Sequence, residues 1–169
     1  MRLDVLRREL AQGAETIQGL VAGVSAAEAR VRPAPDAWSI LEVVAHLLDE
    51  EREDFRPRLD VVLHRPDESW PRIDPPGWVT ARGYNGRELG ATVSEFLTER
   101  ERSLAWLAGL TAPEWSRTYQ ASFGPITAGD LAASWAAHDL LHTRQLLELR
   151  RARLLALVAP HRTEYAGDW

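Results

Sequence analysis

Apolar residues recur at helical spacing in four stretches of the chain. Leu3, Leu6, Leu10, Ile17, Leu20, Val21 and Val24 form the first stripe and predict a helix from about Leu3 to Val24. Ser25 with Glu28 has the form of a capping box, but Pro33 and Pro35 keep the stretch that follows short and broken. A clearer box, Ser39 with Glu42, opens the second helix, which reads ILEVVAHLLDEEREDF and is expected to end at Pro57 or slightly beyond. The third helix runs from about Glu88 to Leu110 on a stripe of Leu89, Val93, Phe96, Leu97, Leu104 and Leu107. The fourth begins after Thr127, with Asp130 in its first turn, and continues through at least Leu149; Pro160 stops any extension. No segment sustains the period-two alternation of a half-buried strand, so no substantial sheet is expected.

The punctuation between helices carries its own information. Pro66, Pro71, Pro75, Pro76, Gly77 and Gly83 leave no continuous element predicted between Pro57 and Gly86. A loop of about 25–30 residues needs a reason. A helix of about 20 residues spans roughly 30 Å, and about 10 extended residues cover that distance. The loop can therefore return along the bundle and start the third helix at the same end as the second. That connectivity is an all-α, up-down-down-up four-helix bundle with one long crossover between helices 2 and 3. An antiparallel pair with a long hairpin loop is the alternative. The bundle is expected to occupy residues 1–159, with 160–169 as a loose tail.

Composition narrows the chemistry. All 20 basic residues are Arg, cysteine is absent and Met1 is the only methionine. Without lysine there is no Schiff-base chemistry and no P-loop lysine. Without cysteine there is no disulfide, thiol nucleophile, iron–sulfur cluster or thiolate-bound zinc. Any metal must be held by His, Asp, Glu or backbone oxygen. A net charge of −5 and the lack of any basic run argue against nucleic acid. The amino-terminal MRLDVLRREL breaks its apolar positions with charges, so neither a signal peptide nor a membrane span is expected and the default location is the cytoplasm. The seven tryptophans read first as core packing.

Two of the five histidines, His138 and His142, stand four apart on the fourth helix. Both fall within about 20–30° of the line through Leu131 and Leu149, so both imidazoles point into the bundle. Such a pair can aim two nitrogens at one metal ion, or form a hydrogen-bonded core pair. A third ligand must come from elsewhere. His46 on helix 2 is the best candidate, although it lies off the apolar face centred on Ile40, Val44, Leu47 and Leu48, a position that periodicity assigns to the boundary or surface.

The run Trp38-Ser39-Ile40-Leu41-Glu42-Val43-Val44-Ala45-His46 resembles the WS-x-x-E-x-x-x-H start of helix 2 in the DinB-like (YfiT-like) superfamily. Phe123-Gly124-Pro125-Ile126-Thr127 followed by His138 through Gln145 is similar to that family's G-P-x-T loop and H-x-x-x-H-x-x-Q fourth helix, and Asn85–Leu110, with Phe96 and Arg100, to its third. The resemblance covers nearly the whole chain. It implies an up-down-down-up bundle binding one divalent metal, Zn²⁺ or Ni²⁺, through His46, His138 and His142, with positions left open for water or substrate. It also implies two activities. One is S-transfer from a low-molecular-weight thiol cofactor (bacillithiol or mycothiol) to a small-molecule electrophile, which is the preferred reading; the other is metal-dependent hydrolysis. A metal-stabilised homodimeric binding module is the non-enzymatic alternative, and a homodimer is expected.

Other residues carry lesser roles. Glu50, one turn from His46, is a candidate fourth ligand, supporting acceptor or proton carrier, or a solvated helix charge. Gln145 is placed to orient His142 or a water. Trp38 and Trp135 are candidate cavity walls. Asp139 is read as turned away from the site, a surface or supporting group, His64 as a surface residue of the loop, and His161 as incidental.

Overall fold

The computed structural model describes residues 2–169. Its elements are α1 (Leu3–Val21), the single turn α2 (Ala26–Ala29), α3 (Ile40–Asp49), a π-helical segment (Glu50–Phe55), α4 (Arg56–His64), α5 (Pro75–Ala81), α6 (Leu89–Gly109), the strands β1 (Thr118–Ala121) and β2 (Gly124–Thr127), and α7 (Ala128–Val158). The four bundle helices are α1, the continuous α3–π–α4 rod, α6 and α7.

The core fixes their directions. One cluster joins Ile17 and Val21 at the end of α1, Leu41 and Val44 at the start of α3, Leu89 and Phe96 at the start of α6, and Leu146 toward the end of α7. The other joins Leu6 and Leu10, Leu59 and Val62, Leu107, and Leu131 with Trp135, the opposite ends of the same four helices. Helices 2 and 3 thus run parallel and the others antiparallel to them. This is the up-down-down-up order, and the hairpin alternative is excluded.

Local chemistry explains where the helices begin. Ser25, Ser39 and Thr127 each accept a hydrogen bond from the backbone N–H three residues on, while Glu28, Glu42 and Asp130 reach back to the cap backbone. Buried Glu42 also pairs with Arg32, tying the chain before helix 2 to its first turn.

Helix 2 does not end at Pro57. Proline cannot donate the hydrogen bond that an α-helix would need there. The π-helical turn over Glu50–Phe55 lies immediately before it, the rod resumes as α4, and Leu59, Val62 and Leu63 reach the lower core.

The crossover is also more ordered than its prolines suggest. Asp74 caps α5, and Val79 and Tyr84 pack on Ala45 as a third small cluster. The Tyr84 hydroxyl donates to Asp49 at 2.6 Å, and Arg82 bridges Asp49 and Glu53 while stacking over Trp78. The crossover therefore covers the outer face of α3, and every residue from Ser39 to Glu51 is buried.

The second loop contains a two-stranded hairpin, too short for its alternation to register in the sequence. Ala121 pairs with Gly124 around a two-residue turn, and Gly124 takes a φ of 121° that favours glycine. Trp70 stacks on Tyr119 at 4.4 Å and its backbone N–H donates to the Tyr119 hydroxyl, pinning the hairpin to the crossover. Among the described residues, no helix is long and apolar enough to cross a membrane.

Candidate metal centre

His46 comes from the middle of α3; His138 and His142 come from successive turns of α7. Their side chains converge between the two halves of the core. His138 Nε2 lies 3.2 Å from His46 Nε2 and 3.1 Å from His142 Nε2. His46 and His142 are buried and His138 nearly so. His46 escaped the wheel because a wheel sees only one apolar face. The crossover buries the rest of α3, so a residue off the bundle-facing stripe is still inside the protein.

Three imidazoles this close cannot satisfy one another. His142 Nδ1 faces the Gln145 side-chain oxygen at 2.7 Å, which places its proton there and leaves Nε2 as a lone pair. A neutral imidazole has one N–H, so His138 Nε2 either donates to His142 or accepts from His46. At most one of the two short contacts is a hydrogen bond. Extra protons do not relieve this. Burial lowers the pKa of all three histidines, to about 2 for His46 and about 3 for His138, with the neighbouring imidazoles adding to the effect on those two. The cluster is three neutral imidazoles whose Nε2 atoms crowd together with at most one hydrogen bond between them.

The spacing suits a cation. Two nitrogens bound about 2.1 Å from one ion, at angles between 90° and 109°, sit roughly 3.0–3.4 Å apart. The measured 3.1 and 3.2 Å fall in that range. The donors are all imidazole, which suits borderline divalent ions such as Zn²⁺ and Ni²⁺. The residues present therefore fit a metal.

The supporting groups sit behind the rings. Gln145 holds His142 through Nδ1. Glu50 Oε1 lies 3.9 Å from His46 Nδ1, and neither atom has a hydrogen-bond partner. Burial and the neighbouring Asp54 push the Glu50 carboxyl up to about 9, so two neutral groups face each other there. Trp38 lies 4.9 Å from the His46 ring and parallel to that of His142 at 6.4 Å. With Pro33, Gln145, Glu148 and Leu149 it lines a cavity of about 490 Å³ that opens onto His142. Trp135 is elsewhere, in the lower core, stacked on Phe55, which in turn touches His138.

Asp139, read from the sequence as turned away from the site, is buried. Its carboxylate receives two hydrogen bonds from Arg100 at 2.6 and 2.9 Å. Arg100 also donates to Glu51 and to the Leu10 carbonyl, and the Trp135 indole N–H donates to the other Glu51 oxygen. This network crosses all four bundle helices and anchors α7 at the residue next to His138. No periodicity announced it, because its charges come from three helices far apart in sequence. His64 pairs with Asp60 on the exposed end of α4 and His161 lies in the exposed tail; neither joins the cluster.

The chain belongs to the DinB superfamily, whose pattern it matches over residues 9–146. Among curated proteins no significant match is found. The fold is similar to that of YfiT from Bacillus subtilis, described as a probable metal-dependent hydrolase with an unusual four-helix bundle topology. The two share 17% sequence identity and superpose with a TM-score of 0.78 over 89% of this chain and 86% of that one. At that identity the likeness speaks for the fold.

Proposed function

We propose that this protein is a divalent-metal-dependent S-transferase that joins a low-molecular-weight thiol to a small electrophile. The observation that carries the reading is the convergence of three neutral imidazoles, His46, His138 and His142, beside a cavity walled by Trp38. These three residues would hold Zn²⁺ or Ni²⁺. When bound, such an ion lowers the pKa of a thiol or a water enough to make a nucleophile near neutral pH. Three protein ligands fall short of the four or more that these ions take, so a ligand from outside is required. The chain has no cysteine, so a sulfur nucleophile must also come from outside.

The remaining residues orient and exclude. Gln145 fixes the tautomer of His142, and Glu50 faces the back of His46. Trp38 and Leu149 give the electrophile an apolar wall. In the reaction a C–S bond forms as the bond from carbon to the leaving group breaks; the thiol proton passes to solvent, and the leaving group departs with the bonding pair. Transfer is preferred over hydrolysis because Glu50, the acidic side chain facing His46, stands behind its ring and is held neutral there. A thiolate attacks without a general base, whereas water gains from one. Hydrolysis is the second reading, favoured by the likeness to YfiT, itself described as a probable metal-dependent hydrolase.

The test starts from protein purified without a His-tag. Elemental analysis is expected to find about one divalent ion per chain, lost in His46→Ala, His138→Ala and His142→Ala. Loaded protein is then incubated with bacillithiol or mycothiol and a haloalkane, with products followed by mass spectrometry. A thioether dependent on both metal and thiol supports transfer. Turnover of the electrophile with no thiol present replaces it with the hydrolase reading. An absence of stoichiometric metal sinks both.

A further inference from the structure

The cavity beside His142 does not end at Leu149. It shares Pro33 and Leu149 with a second cavity of about 470 Å³ that continues along α7 toward its carboxyl end. One wall is Leu149, Ala152, Ala156 and Leu157; these lie at i, i+3, i+7 and i+8, so they form one stripe of the helix. The opposite wall is Val31 and Ile40. Val31 and Leu157 are each 64% exposed, apolar side chains with nothing over them.

The charges in this groove are already committed. Arg32 is paired with Glu42, and Arg153 with Glu28. What the two arginines offer a ligand is their aliphatic stems, not a free cation. The groove is therefore a poor seat for a carboxylate or phosphate and a good one for hydrocarbon.

We infer that the ligand reacting at the histidine centre is an amphiphile, with its reactive head beside His142 and Trp38 and an unbranched apolar tail lying in this groove. This rests on the reading of the triad as the reactive centre. From Leu149 to Ala156 the helix rises about 10 Å, and an extended chain advances about 1.2 Å per bond, so the groove accommodates a tail of about eight carbons. Leu149 stands at the junction, where head and tail meet.

The test uses n-alkanethiols from ethanethiol to octanethiol, titrated calorimetrically into metal-loaded and metal-free protein. On the loaded protein each added methylene is expected to tighten Kd about fourfold until the groove is full. Ala152→Phe and Ala156→Phe, at exposed helix positions that tolerate a larger side chain, fill the groove; they are expected to leave ethanethiol binding unchanged and abolish the gain with length. Metal-dependent binding with no dependence on length overturns the tail assignment and leaves the triad reading standing. Length dependence that survives both substitutions also overturns it, since the tail then lies elsewhere. Length-dependent binding that needs no metal but is lost in the variants keeps the groove and sinks the triad reading. Sedimentation as a dimer that Ala156→Phe splits into monomers assigns the groove to a second copy of the chain and overturns the inference.

Discussion

Gly13 on α1 stands where any side chain would strike the Asp139 carboxylate: an ideal Cβ falls 2.3 Å from Asp139 Oδ2. The helix approaches α7 this closely so that Arg100, between them, can reach both Asp139 and the Leu10 carbonyl. Alanine is the better helix former by about 1 kcal/mol, yet here Gly13→Ala is expected to destabilise the fold by about 1–3 kcal/mol, measured by urea denaturation. A neutral or stabilising result would mean that Asp139 moves aside freely. Arg100→Met is expected to cost more, about 3–5 kcal/mol, because it strands the carboxylates of Glu51 and Asp139 in the core. Adding Glu51→Gln and Asp139→Asn should restore part of that loss; no recovery would show that the arginine acts through packing alone. The chain revealed little of this. An arginine's partners 39 and 49 positions away leave no periodic trace, whereas His138 and His142 were legible because both lie on one face of one helix.

At the level of elements, the legible features were those set by neighbours in sequence. The box at Ser39 and the helix start at Thr127, with Asp130 in its first turn, could be read because a cap needs only four consecutive residues, and the structure forms a capping box at both. Their weights differ. The Thr127 hydroxyl is engaged only with Asp130, so Thr127→Ala is expected to cost about 1 kcal/mol. Buried Ser39 also donates to Asn85 Oδ1 at 2.7 Å, joining helix 2 to the end of the crossover. Ser39→Ala is therefore expected to cost about 2 kcal/mol. Equal losses in thermal or urea unfolding would show that the link to Asn85 contributes nothing. The elements that sequence missed are those that depend on tertiary support. Helix 2 continues past Pro57 because a π-turn precedes the proline and α4 packs in the lower core. The crossover is ordered because Tyr84 and Arg82 meet Asp49, a partner more than 30 positions away. That same covering explains His46, whose burial no single-helix projection could supply.

Across the whole molecule, the three histidines sit between the two core clusters and bring together helices that are far apart in sequence: His46 and His138 are separated by 92 positions. Without a cation, at most one of their two short contacts can be a hydrogen bond, and the other brings two ring nitrogens together unpaired. A bound ion removes that conflict and crosslinks α3 to α7, and neither gain exists in the unfolded chain. Metal binding should therefore appear as folding stability. At a free concentration about 1,000 times its Kd, an ion that binds only the native state adds about 4 kcal/mol. For a domain of this size that corresponds to a rise in Tm of roughly 8–16 °C. Calorimetry of the chelator-treated protein, before and after adding Zn²⁺ or Ni²⁺, is expected to show it. His138→Ala takes out the imidazole common to both short contacts, so the rise should vanish in that variant. A comparable rise in His138→Ala would place the ion elsewhere. An unchanged Tm in the wild type, with binding absent by dialysis, would leave the triad as a polar core cluster. The long crossover gains a purpose from the same argument. By running helix 2 parallel to helix 3 and then sealing its outer face, the chain places one histidine deep in the protein and opposite a pair on α7, a juxtaposition that depends on the burial that the crossover provides.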